Sequence, residues 1–182
     1  MDDKKLLTDS LNEFGVDVQV VLDRPNTNFD GAGTLYSLDI SGLGLTQIPD
    51  LSIFPALSVI ELGFNDLTKI EEETFKRNNR MMKISLVGNK LKTLPSDLFA
   101  RQTALQQLAL SRNQIEILPE QIFKRTVNLH TLLLNGNPLQ SLPSSIFRLR
   151  NLRYLNLADA GRYSVTLHSL NEVQEFLTNA IN

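Results

Sequence analysis

The sequence predicts an α/β solenoid: a curved horseshoe arc of about six stacked turns, with a parallel sheet on the concave face and a cap at each end. Three observations predict it. Asn65, Asn89, Asn113 and Asn137 stand at a constant separation of 24 residues. Phe75, Phe99, Phe123 and Phe147 repeat that separation. In LQQLALSRNQIEILPEQIF, from Leu105 to Phe123, the apolar positions Leu105, Leu108, Leu110, Ile115 and Leu118 fit neither a helix nor an alternating strand over their whole length, so the segment is one copy of a repeat.

The pattern LxxLxLxxNxLxxLPxxxF is matched by the segments starting at Leu57, Met81, Leu105 and Leu129. A degraded copy starts at Leu35, with Leu43 in place of asparagine. Another starts at Leu152, with Ala160 there and the later landmarks gone. This pattern, over residues 35–160, resembles the leucine-rich repeat family. The ends of the chain, free of cysteine, resemble those of bacterial and cytosolic members and delivered effectors. The resemblance implies a protein-binding module without catalysis of its own.

Taken in order, residues 1–34 form an N-terminal cap. Asp2 and Asp3 can cap a helix carrying Leu7, Leu11 and Phe14 at helical spacing, and Gly15 ends it. Val16, Val18, Val20 and Leu22 alternate with more polar residues, apart from Val21, and predict a strand, followed by the turn-rich DRPNTNFDGAG. In each repeat, alternate strand leucines such as Leu108 and Leu110 point to the core, while Gln107, Ala109 and Ser111 point away. The phenylalanine of each turn packs behind that sheet. The asparagine follows the strand, where its amide can serve turn backbone groups that no ladder reaches. Asn65, Asn89, Asn113 and Asn137 are thus expected as a structural polar ladder, and Phe75, Phe99, Phe123 and Phe147 as structural core residues. In residues 161–182, Ser169 and Glu172 have capping-box spacing, and Leu170, Val173, Phe176, Leu177 and Ile181 make the apolar stripe of a C-terminal capping helix. The whole is expected to be one continuous domain.

Composition narrows the function. With 42% hydrophobic and 21% charged residues, 182 residues can bury an elongated core. A net charge of −2 supplies no bulk attraction to nucleic acid or anionic membrane. The lack of cysteine speaks against a disulfide-stapled extracellular domain. No apolar run reads as a signal peptide or a membrane span. These features favour a cytoplasmic protein, or one delivered into a host cell, with no membrane insertion, and a monomer. His130 and His168 lack companions at metal-ligand spacing, and no nucleophile elbow or phosphate loop is present, so no catalytic residue, metal or cofactor is expected.

What remains is surface. Another protein is the expected partner, bound on the concave side by Val59, Glu61, Lys83, Val87, Leu133, Tyr154 and Asn156, with Phe64 and Arg112 just beyond the strands. Phe64, Val87, Leu133 and Tyr154 are apolar where polarity would cost nothing. A second row, Lys76, Arg77, Arg101, Lys124, Arg125, Arg148 and Arg150, aligns on the convex side and offers an alternative, nucleic acid or phosphoinositide binding. Against it, Glu73, Asp97 and Glu120 precede Arg77, Arg101 and Lys124 by four residues, the spacing of local ion pairs on a helical turn. An enzyme of unrecognised type is the remaining alternative, and it would require a cleft with a perturbed acid or histidine.

Overall fold

The computed structural model describes residues 2–180. Eight strands form one sheet in sequence order: β1 (Asn28–Phe29), β2 (Leu35–Asp39), β3 (Val59–Glu61), β4 (Lys83–Ser85), β5 (Gln107–Ala109), β6 (Thr131–Leu133), β7 (Tyr154–Asn156) and β8 (Thr166–Leu167). The six strands β2 to β7 are parallel, so five complete coils join them, while β1 and β8 run antiparallel at the two edges. The register puts Leu38, Ile60, Ile84, Leu108, Leu132 and Leu155 in one row, all buried. No single coil could bury its leucines; stacking makes them one continuous core.

Helix α1 (Asp3–Asn12) starts as expected: the Asp2 carboxylate accepts from the Lys4 N–H at 3.1 Å, and Leu7 and Leu11 face the core. Gly15, at φ +68°, ends it. Asp3 also accepts from the Leu35 N–H at 2.8 Å, tying this helix to the first parallel strand. The strand expected from Val16 to Leu22 is instead a short helix, α2 (Val18–Leu22). Asp17 caps it by accepting from the Gln19 N–H at 2.9 Å. The alternate valines define no common face, since Val16 and Val21 are buried and Val20 is exposed. At the other end, β8 covers β7 and leads into α3 (Leu170–Ala180), which buries Val173 and Leu177. Ser169 caps it by accepting from the Glu172 N–H at 3.2 Å, and Glu172 reaches back to the His168 N–H at 2.9 Å. Ile181, expected on the same stripe, lies outside the described residues.

The four asparagines are buried and make the same bonds in each coil. Asn113 Oδ1 accepts from the Leu91 N–H of the preceding coil at 3.1 Å. Its Nδ2 donates to the carbonyls of Leu86 at 2.9 Å and Leu110 at 3.0 Å. Asn89 and Asn137 repeat this on Leu67 and Ile115, and Asn65 accepts from both Leu43 and Leu45. A second buried polar row escaped the sequence reading: Asn78, Gln102 and Thr126, also 24 apart and three residues after the phenylalanines. Asn78 Nδ2 donates to the Leu51 and Phe54 carbonyls, and Gln102 Nε2 to that of Phe75. The recurrence of an uncharged polar residue at one spacing was the available signal.

Phe75, Phe99 and Phe123 are buried in the predicted row, the first two stacked at 6.2 Å. Phe147 departs from it and is 39% exposed. Its coil is one residue shorter: six steps separate Phe123 from Leu129, five separate Phe147 from Leu152. In the resulting 3-10 turn, Ser144–Arg148, Ile146 and then Leu149 point inward, so Phe147 is rotated out.

Candidate functional site

The face of the sheet opposite the core carries Val59, Glu61, Lys83, Val87, Leu133, Tyr154 and Asn156, where alternation placed them. They are half-buried rather than free, because neighbouring strands and their side chains crowd the inside of the arc. Glu61 and Lys83 form an ion pair at 2.5 Å across β3 and β4. Asn156 is committed within its own end of the sheet: its Oδ1 accepts from the Ala158 N–H at 3.0 Å and the Thr166 hydroxyl at 3.2 Å. Tyr154 packs edge-on against His168 with centroids 5.0 Å apart.

In the first parallel strand, Asp39 accepts from Arg24 at 3.0 Å and from the Ser41 hydroxyl and N–H. Burial pushes its carboxyl up, but the Ser41 and Arg24 hydrogen bonds outweigh that and hold it below its ordinary 3.8. A depressed carboxylate contributes stability that is complete above the unfolded value and is lost as pH falls through the folded one. Thermal melts of the parent should therefore lose stability below pH 3.8 more steeply than melts of Asp39→Asn. Coincident acid limbs would show that Asp39 contributes nothing.

The rim beyond the strand ends holds the most unusual geometry. Gly42, Phe64, Gly88, Arg112, Gly136 and Asp159 occupy one equivalent position, just before the asparagine or its replacement, and all have φ between 51° and 68°. Phe64, Arg112 and Asp159 are the only non-glycine residues with positive φ among the described residues. Left-handed backbone costs an L-residue about 1–2 kcal/mol, most for bulky side chains. Hydrogen bonds from the next coil hold it in place: the Phe64 N–H donates to Val87 at 2.7 Å and that of Arg112 to Asn135 at 2.8 Å. Large residues alternate with glycine, and at Gly88 the reason is steric. A Cβ on Gly88 would lie 2.7 Å from the Phe64 ring, and one on Gly136 would lie 3.4 Å from the Arg112 stem. The Phe64 ring thus lies over Gly88, whereas the Gly136 contact is an ordinary one. Phe64 is nevertheless 61% exposed. The sequence reading singled out Phe64 and Arg112 but missed the alternation, although glycine before every second asparagine marks it.

On the convex side, the ion pairs expected at four-residue spacing do not form. Lys76 pairs with Glu73 at 2.5 Å, three residues away, and Glu120 accepts from the Ser144 N–H at 2.8 Å. The reason is local: Thr74, Lys76 and Asn78 donate three residues back, and three residues per turn eclipse i with i+3. Arg77, Arg101, Lys124, Arg125, Arg148 and Arg150 make no ion pair among the described residues. An open groove of about 810 Å³ lies here, but Glu72, Glu73 and Asp97 line it together with Lys76, Arg101, Lys124 and Arg125. Its lining therefore carries both signs of charge.

Among the described residues no group of three or more His, Asp or Glu side chains could hold a metal, and no helix is long and apolar enough to cross a membrane.

The family model described as "Leucine rich repeat" matches residues 55–115 and 79–139. The crystal structure of the leucine-rich repeat domain of APL1B is similar in fold, with a TM-score of 0.61 at 21% identity. The match covers 64% of this chain and 34% of that one, so the present chain aligns with about a third of its length. A search of curated proteins returns no match.

Proposed function

Because the chain is a leucine-rich repeat protein, a fold that commonly serves protein–protein interaction, we propose that it is a non-catalytic module that binds another protein through its concave sheet and the adjoining rim. One observation carries the reading. The rim keeps an aromatic ring and a guanidinium exposed on left-handed backbone, at positions where alternate coils carry the cheaper glycine. Strain that lowers folding stability and leaves a hydrophobic ring in water is accounted for when a partner uses the ring.

Magnitude makes the rim necessary. Six strands at about 4.8 Å and about 16 Å of strand length offer roughly 400 Å², whereas a stable interface takes about 800 Å² from each partner. The ends without cysteine support a reducing compartment, in the producing cell or in a cell to which the protein is delivered.

Affinity capture from lysate with three baits tests this. The variant Val87→Ser/Leu133→Ser should retain less than about a tenth of the captured partner, because apolar anchors near an interface centre carry most of its energy. Arg77→Glu/Arg101→Glu/Arg125→Glu should capture as the parent does. If the charge reversals abolish capture with a steep salt dependence while the serine variant is unaffected, the convex row is the site.

A further inference from the structure

Phe64, Arg112 and Asp159 are the three strained rim positions, and they differ in chemistry: one aromatic, one cation, one anion. Successive members are two coils apart, so their spacing is about 10 Å along the sheet. Two acid–base pairs nearby are already matched. Asp66 pairs with Lys90 at 2.7 Å, and Glu61 with Lys83, whereas Arg112 and Asp159 have no ion-pair partner among the described residues. The residues between them, Gly88 and Gly136, carry no side chain, and the Phe64 ring lies against Gly88. The rim is therefore a ruler with three different marks.

Resting on the protein-binding reading above, we propose that the ligand of this rim is an extended segment of another protein. It presents an apolar side chain to Phe64, a carboxylate to Arg112 and a basic side chain to Asp159, in that order. An extended chain with three residues per turn rises about 3.1 Å per residue, so residues i, i+3 and i+6 fall on one side at about 9 Å intervals. That matches the rim. A flat strand does not, because it turns residues i and i+3 to opposite faces. The charges set the direction of the segment, and the ring sets its register.

A library of random twelve-residue linear peptides, selected on the full chain, tests this. Enriched peptides should carry an apolar residue, then Asp or Glu three residues on, then Lys or Arg three further. A synthetic peptide of that pattern should bind the Arg112→Asp/Asp159→Arg variant at least about tenfold more weakly, and exchanging the two charges in the peptide should restore affinity. Neither substitution enters the core, and equal melting temperatures verify that the swapped protein folds. The proposal is overturned if enriched peptides lack the order, if none is enriched, or if the swap leaves affinity unchanged. Peptides lost on Val87→Ser/Leu133→Ser yet indifferent to the swap overturn it while leaving concave binding intact. Peptides indifferent to both sets of changes count against both readings.

Discussion

Gly161→Ala is expected to lower the melting temperature by roughly 6–12 °C, the equivalent of about 3 kcal/mol in a chain of this size. Two costs combine. Gly161 has φ +60°, which an alanine adopts at about 1 kcal/mol or more. The new Cβ would also overlap the Leu139 carbonyl oxygen and lie 2.6 Å from the Leu139 nitrogen. Those atoms belong to backbone of the preceding coil and cannot rotate away as a side-chain tip would. Relief requires the segment after β7 to lift from that coil, with β8 and α3 following it. Gly31→Ala, where a Cβ meets nothing within 4 Å, is the control and should melt with the parent. If Gly161→Ala melts within 2 °C of the parent, the close approach does not exist in solution.

Asn113→Leu should cost about 1–3 kcal/mol, the price of one buried N–H left without an acceptor. Its four bonds do not count equally, and the Ser111 carbonyl, one of its acceptors, retains the Gly88 N–H at 2.9 Å. The Leu86 carbonyl retains the Asn89 amide at 3.1 Å, and the Leu110 carbonyl retains that of Asn137 at 2.9 Å. Only the Leu91 N–H is orphaned. Asn65→Leu should cost more than Asn113→Leu, since it orphans the N–H groups of both Leu43 and Leu45. Denaturant unfolding ranks the two variants. A leucine variant as stable as the parent, or the reverse order, would refute this assignment.

The rim variants should behave in the opposite way. Arg112→Gly relieves left-handed strain and removes no bond among those described, so its stability should hold or rise while any ligand of the rim is lost. Function and stability separate at such positions, as they do not at Asn113.

By itself the sequence determined the period, and with it most of the architecture. A 24-residue recurrence of leucine and asparagine can bury its apolar side only by stacking, so the parallel sheet, the inward row from Leu38 to Leu155 and the asparagine ladder follow from spacing alone. The capped ends of α1 and α3 were legible because Asp2 and Ser169 act on amides two or three residues away. Tertiary structure decided what depends on the neighbouring coil. Whether Val18–Leu22 coils or extends depends on what it packs against, and five residues of alternating valine are too few to say. Phe147 turned outward because a one-residue deletion rotates a coil relative to its neighbours, a change of angle that a motif match does not register. The convex ion pairs followed the three-residue turn, and not the helix assumed for it. The rim conformation is imposed from outside each residue: the hydrogen bonds to Val87 and Asn135 hold Phe64 and Arg112 in left-handed backbone against their own preference, and a local reading of either residue predicts the opposite.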